Sequence, residues 1–195
     1  MAEFKFNTDP GVTVARELLI AYLNTGTYAQ PKWSPVGKRV EDSSEEYDWQ
    51  TETKVDIHGA SYTNGKKPII TQTFDPCELD SLDDAQQKIW NLAVKDQDVN
   101  KLMNQDMLIA HFYTTTDGED AGGSFAERYE ACSVLPSGLG GEGGGSVGMP
   151  IDVTYGGTRT LGTVSKAADG SVTFTPDGAA PAPSGFSMRS RSMGE

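Results

Sequence analysis

Polar and β-philic residues alternate without a break from Glu45 to Gly59, a stretch reading EEYDWQTETKVDIHG. Tyr47, Trp49, Thr51, Thr53, Val55 and Ile57 fall on one set of alternate positions, and Glu46, Asp48, Gln50, Glu52, Lys54 and Asp56 fall on the other. Side chains on a strand point to opposite faces with period two. The stretch therefore predicts one long strand, with Tyr47, Trp49, Val55 and Ile57 turned to a core and an acidic face turned away. At about 3.3 Å per residue it extends roughly 40 Å. A compact chain of this length has a radius of gyration of roughly 16 Å, so the strand crosses nearly the whole molecule and is the element around which the rest is expected to be organised.

Other stretches follow the same logic. Residues 1–12 are polar, end on Asp9-Pro10-Gly11 and read as an arm. Arg16 to Asn24 is a compact apolar run that fits a short helix or a buried strand; its length and the Asn24-Thr25-Gly26 turn favour the strand. Trp33 to Val40 resembles a short strand. Asn64-Gly65 is a hairpin signal, with Pro68 to Phe74 as the return strand carrying Ile70, Gln72 and Phe74 on one face. Residues 81–95 predict a helix with Ser81 as N-cap and a stripe of Leu82, Ala85, Ile89, Leu92 and Ala93. A short helical piece follows at Val99 to Met103. Met107 to Tyr113 is apolar at nearly every position, as expected of a strand covered on both faces. Asp117 to Ser124 reads as a flexible turn, and Phe125 to Leu135 as a strand, with a helix as the alternative. Gly138 to Gly148 holds seven glycines in eleven positions and reads as a loop. Three short strands follow, the last two joined at Asp169-Gly170. Residues 177–195 form a low-complexity tail. The expected fold is mainly β: an antiparallel sandwich or barrel over residues 13–176 with one flanking helix.

Charge changes the picture of partners. The 195 residues carry 16 Lys and Arg against 28 Asp and Glu, a net −12. A surface that binds duplex DNA needs clustered cations to release counterions, and no basic run exists here. Nothing at the N-terminus has the basic-then-apolar form of a secretory signal, so synthesis in a cytoplasm is the expectation, and the longest apolar run falls far short of a membrane span. Cys77 and Cys132 are too few for a disulfide framework or a four-Cys zinc site, and read as buried small hydrophobes.

Candidate chemistry is sparse. GLGGEGGG lacks the Gly-Lys-Ser/Thr ending of a phosphate loop. His58 and His111 have no second histidine at ligand spacing. Glu127 and Glu130 form a possible carboxylate pair but read as surface charges on a strand, and Cys77 has no basic activator beside it. The chain names no nucleophile, base, metal cage or cofactor, and is read as a non-enzyme. Its abundance of strand edges, arms and loops suits sheets completed by other copies of the chain.

Several segments carry a resemblance. They are Trp33-Ser-Pro-Val-Gly-Lys-Arg-Val40, Glu41 to Trp49, Glu52 to Gly59, Thr71-Gln-Thr-Phe-Asp-Pro76, Phe125-Ala-Glu-Arg-Tyr-Glu130 and Met149-Pro-Ile-Asp-Val-Thr-Tyr-Gly-Gly157. Over roughly residues 10–175 the chain resembles the major tail tube proteins of long-tailed, siphovirus-type bacteriophages of Gram-positive hosts. That resemblance implies a β-sandwich flanked by a helix, assembled as hexameric rings that stack into a hollow tube in the virion tail after synthesis in the host cytoplasm. It implies contacts with tape-measure, terminator and distal tail proteins, and passage of DNA through the lumen without specific binding. On this arrangement Glu46, Asp48, Gln50, Glu52, Lys54 and Asp56 line the lumen, where acids repel a polyanion carrying about one charge per 1.7 Å. Residues that leave the core pattern, Phe4, Phe6, Trp33, Asn64 and Gly65, are the candidates for contacts between rings. The competing class is a carbohydrate- or receptor-binding β-sandwich, for which Tyr47 and Trp49 would supply the aromatic surface.

Overall fold

The strand that organises the molecule is Ser124–Pro136, not Glu45–Gly59. The computed structural model describes residues 4–116 and 123–178. The tip of the expected turn at 117–122 and the tail from 179 onward lie outside them. In chain order the strands are β1 (Phe4–Phe6), β2 (Leu19–Asn24), β3 (Trp33–Pro35), β4 (Glu45–Asp48), β5 (Glu52–Val55), β6 (Ser61–Asn64) and β7 (Ile69–Phe74). Helix α1 (Asp84–Trp90) runs into a π-turn at Asn91–Lys95, and α2 (Val99–Leu102) follows. Then come β8 (Gln105–His111), β9 (Thr114–Thr116), β10 (Ser124–Pro136), β11 (Ile151–Tyr155), β12 (Arg159–Lys166) and β13 (Val172–Pro176). The fold is mainly β, antiparallel, with one principal helix.

Strand β10 belongs to two sheets. Its first half pairs with β8 and with β12, in register from Phe125↔His111 and Phe125↔Thr163. Its second half pairs with β11, from Ser133↔Thr154 to Pro136↔Ile151. Between Tyr129 and Cys132 the register slips by a bulge, and a bulge bends and twists its strand. The chain joining β11 to β12 passes tightly over this bend. Gly157 has φ +75°, and a Cβ there would lie 2.8 Å from the Ala131 nitrogen, so a glycine is required. One sheet thus runs β3-β2-β8-β10-β12-β13, and the other runs β4-β7-β11-β10.

The space between the sheets holds the main core. Leu23, Met107 and Ile109 of the first sheet meet Ile70, Phe74, Val134, Ile151 and Val153 of the second, and α1 closes one end with Ala85 and Ile89. A second cluster, Tyr22, Trp33, Leu108, Ala110, Ala126 and Val164, covers the opposite face of the first sheet. This is why Met107 to Ala110 is apolar at consecutive positions: both faces of β8 are buried. Cys77 and Cys132 are free thiols buried in the main core.

The helix begins later than its sequence pattern suggests. Asp80 Oδ1 accepts from the Leu82 N–H at 2.9 Å in a turn of its own. Asp83, not Ser81, is the N-cap, accepting from the Gln86 N–H at 3.0 Å. Leu82 is left outside the helix and exposed, whereas Ile89 is buried and Leu92 packs against the core edge.

The expected long strand is two strands. Gln50, with φ +45°, breaks it, held by its N–H donating to Asp48 Oδ1 at 2.9 Å. Such Asx turns are a property of Asp in this position. β4 stays in the sheet against β7, while β5 leaves to pair only with β6. The turn of this second hairpin is Asp56–Ala60, where Asp56 Oδ1 accepts from the His58 and Ala60 N–H groups. Asn64-Gly65 is therefore not the turn: Asn64 ends β6, paired with Glu52.

Two isoleucines expected in one core separate cleanly. Ile89→Ala should cost about 2–5 kcal/mol of stability, as buried isoleucine truncations do. Ile57→Ala should change it by less than about 0.5 kcal/mol, since surface substitutions rarely do more. Urea denaturation of dilute, unassembled protein reads both.

Candidate functional site

The four residues expected to bury one face of the long strand lie at the surface of the single chain. Tyr47 is 43 % exposed, Trp49 55 %, Val55 67 % and Ile57 96 %. The physical reason is the break at Gln50, which carries β5 and β6 off the body as an arm with every residue of both strands exposed. The alternation survives in the arm without a core to receive it. Thr53 and Val55 of β5 share a face with Thr63 and Ser61 of β6, an uncharged surface, and Thr53 Oγ1 lies 2.9 Å from Thr63 Oγ1. Glu52 and Lys54 share the other face with Asn64 and Tyr62, and Glu52 and Lys54 form an ion pair at 3.1 Å.

The polar residues of the original alternation are divided by the same break. Glu46 and Asp48 are exposed on β4 and, by register, share the outward face of the second sheet with Ile69, Thr71 and Thr73 of β7, Asp152 and Thr154 of β11, and Ser133 and Leu135 of β10. This face carries three acids and no base at those positions. Thr73 Oγ1 donates to Asp152 Oδ1 across it at 2.9 Å. Gln50 sits at the kink, and Glu52, Lys54 and Asp56 lie on the arm.

Beneath β4 the two sheets separate, and a cleft of about 760 Å³ opens between them. Ile70, Tyr129 and Tyr155 form its floor, Tyr47, Trp49, Lys66, Lys67 and Pro68 one wall, and Gly156 to Arg159 the other. The Tyr47 and Trp49 rings are 6.3 Å apart and within 19° of parallel.

Polar groups behind the cleft are tightly paired. Glu127 is buried; it accepts from the Arg159 Nε–H and from the Tyr129 hydroxyl, each at 2.7 Å, and His111 Nε2 stands 3.3 Å from its other oxygen. Burial alone pushes this carboxyl up, but His111, Arg159 and Tyr129 outweigh it and bring it from 4.5 down to about 2. Glu45 lies nearby in the opposite state: burial raises it, only partly offset by the Tyr47 hydroxyl donating to it at 2.7 Å, and its Oε1 has no partner. Tyr155 donates to Gln72 Oε1 at 2.5 Å, and Gln72 Nε2 donates to Ser43 Oγ at 3.1 Å, which ties the start of β4 down. Glu127 is thus no surface charge. Its place with Phe125 and Tyr129 in the alternation of β10, opposite Ala126 and Arg128, was the available signal. Glu130 does lie outward and accepts from the Tyr28 hydroxyl.

The residues expected between rings take different positions. Phe4 and Phe6 lie on β1, which pairs with β9; the Phe4 ring is 4.8 Å from that of Phe125, and that of Phe6 is 5.6 Å from Tyr113. Phe6 is exposed. Trp33 is buried in the second cluster with the Arg128 guanidinium 5.6 Å from its ring, so this chain already covers it. Asn64 and Gly65 lie at the root of the arm, away from its tip. Among the described residues no three His, Cys, Asp or Glu side chains converge as a cation cage, and no helix is long and apolar enough to cross a membrane.

No protein-family model and no curated protein matches the chain. Among solved structures it is similar to a chain of the PVC sheath–tube complex, an extracellular contractile injection system in its extended state, with 10 % identity over 80 % of this chain and 95 % of that one and a TM-score of 0.45. It is similar to a chain of the PVC sheath/tube terminator at 8 % identity, covering 78 % and 99 %, with a TM-score of 0.46. A third likeness is to the tube-terminating cap of the anti-feeding prophage, at 14 % identity over 80 % and 95 %, with a TM-score of 0.42. Likeness of this depth decides no function.

The buried carboxylates act in opposite directions with pH. Glu127 has its folded value below its unfolded one, so its contribution is complete above about pH 4.5 and is lost as pH falls toward about 2. Glu45 has its folded value raised, so its contribution is present at low pH and lost as pH rises through that value. Glu127→Gln should cost on the order of 2 kcal/mol at neutral pH and reduce the acid-side slope, to which Asp80, Asp98 and Asp169, also held low by hydrogen bonds, contribute. Glu45→Gln should cost nothing at neutral pH. Denaturant midpoints measured across the acid range check both.

Proposed function

We propose that this chain is a structural subunit of a phage tail tube, assembling with copies of itself as stacked hexameric rings through which DNA is ejected into the host. The observation that carries the proposal is the arm. An isolated two-stranded ribbon is marginal in water, yet β5 and β6 stand off the body with both faces bare and Val55 and Ile57 exposed. A second copy is the cover that such an element calls for. Free sheet edges add support, since β3, β4 and β13 each pair on one side only among the described residues. Unpaired edges invite pairing with another chain.

The lumen in this proposal is lined by the outward face of the second sheet. Its acids, Glu46, Asp48 and Asp152 in a field of threonines, repel the phosphate backbone, so DNA passes without sticking. The arm residues Gln50, Glu52, Lys54 and Asp56 extend that lining where the arm follows the bore. The resemblance to major tail tube proteins of siphovirus-type phages of Gram-positive hosts supports the same arrangement, with tape-measure, terminator and distal tail proteins at its ends. β1, held against β9 by Phe4 with Phe6 left bare, is the N-terminal contact to the neighbouring ring. The chain acts without a cofactor and catalyses nothing.

A second function has one observation in its favour. Tyr47 and Trp49, expected in the core, are instead exposed beside a cleft, as in a carbohydrate- or receptor-binding sandwich. Their rings lie nearly parallel and close to each other, which makes one compact platform rather than a row along a polymeric ligand.

Negative-stain microscopy of purified protein separates the two. Hollow tubes of uniform width are expected; a stable monomer whose Trp49 fluorescence is quenched by an oligosaccharide would overturn the tube. Deleting residues 1–10 should leave a folded chain that forms rings but no long tubes. Replacing Glu46, Asp48 and Asp152 by lysine should preserve tubes and make them retain DNA at low salt, an effect lost as salt rises.

A further inference from the structure

The arm and the cleft match each other. The arm tip carries Ile57, almost wholly exposed, between Asp56 and His58 in a turn that Asp56 Oδ1 holds through two N–H groups. The cleft is a gap in the wall of the main core: its floor residues Ile70 and Tyr155 belong to that core and are buried, yet the space above them is open. On the rim, Lys66 and Lys67 form no ion pair among the described residues. Asp56 is the acid at the tip beside Ile57, whereas Glu52 lies at the root of the arm, paired with Asn64. One chain thus presents an apolar knob beside an acid and an apolar hole flanked by cations. A chain cannot fill its own hole. The cleft lies at the root of the arm, and the tip is roughly 20 Å away along β6 at about 3.3 Å per residue.

We propose that the cleft under the arm receives the arm tip of a second copy, with Ile57 seated over Ile70 beside Trp49, and Asp56 facing Lys66 and Lys67. This rests on the self-assembly proposed above and names the contact that drives it. The contact is heterologous: every copy offers a tip and a hole, so it repeats from copy to copy and closes into a ring or continues along a filament. It also explains why Tyr47 and Trp49 are exposed in the single chain while keeping the alternation of core residues. Their core is completed by the neighbour.

The test uses two variants of the full chain with one added cysteine each, Ile57→Cys and Thr158→Cys. Thr158 lies exposed on the wall opposite Trp49, and the native Cys77 and Cys132 are buried and silent to mild oxidation. Mixing the variants should give a disulfide between positions 57 and 158, identified by peptide mapping. The double variant should give a ladder of covalent multimers. Lys66→Glu with Lys67→Glu should lower the yield of the link by about tenfold, as like charges oppose docking, and adding His58→Lys, which leaves the backbone bonds of the Asp56 turn in place, should restore part of it.

Failure to form the 57–158 link, or linkage only between two copies of position 57, overturns the proposal. If micrographs show tubes but the link is absent, this contact falls and the tube stands. If the link forms on particles that are not tubes, the contact stands and the tail assignment falls. Oligosaccharide binding that quenches Trp49 and leaves the link unformed assigns the cleft to a sugar and overturns the contact.

Discussion

The rest of the molecule depends on one strand serving two sheets. β10 cannot follow both without bending, and the bulge between Tyr129 and Cys132 is where it bends. Because β8 and β12 hold its first half while β11 holds its second, the two sheets have a fixed relative orientation before any side chain packs. The core then fills the wedge between them. Beyond the bend, Cys132, Val134 and Met149 are fully buried. At the bend itself, Tyr129 and the Gly156–Gly157 crossing line the cleft. Cleft and core thus meet at the same bend. The charge network around Glu127 sits at the transition, where space remains for an arginine to reach in from a half-exposed position.

Much of this was legible in the chain itself. The return strand Ile69–Phe74 keeps Ile70, Gln72 and Phe74 together on one face as expected, and that face is the buried one, because strict alternation against one core leaves little freedom. Met107 to His111 read as doubly covered for the same reason. What escaped were events decided by single polar side chains. Asp48 accepting from Gln50 turns the chain out of the sheet, and Asp83 displaces Ser81 as the helix cap. Both are local hydrogen bonds that compete with the regular ladder, and nothing in hydrophobic periodicity registers them. The dual partnership of β10 was equally hidden, since a run of alternating residues carries no record of how many sheets it serves.

The arm shows where periodicity stops being informative. Alternation over Glu45 to Ile57 signals a two-faced strand, and β4 and β5 are two-faced strands. The further step, from apolar face to the core of this chain, fails. Val55 and Ile57 are exposed because no other described residue lies over them. Selection for a buried face acts on the assembled state, and a face buried by another copy leaves the same trace in a sequence as one buried at home. The sequence of a subunit whose core is finished by its neighbours thus overstates the core of the single chain.

Charge then bears on which surfaces stay bare. Most cations of the body have acidic partners, as in Arg128 with Asp106, Arg159 with Glu127 and Lys38 with Asp80, whereas Lys66 and Lys67 at the cleft form no ion pair among the described residues. The outward positions of the second sheet hold only acids, threonines, a serine and two apolar residues, with no cation to neutralise Glu46 or Asp48. A face of that composition gains little by contact with another protein, because desolvating unpaired carboxylates is costly. On the assembly proposed above, the two surfaces divide the work: the arm joins copies, and the acidic face keeps a polyanion in water. The same logic separates the two ends of the arm. Its root carries Lys66 and Lys67, so in the proposed contact the attraction between copies is directed to one end of each molecule rather than spread over its surface.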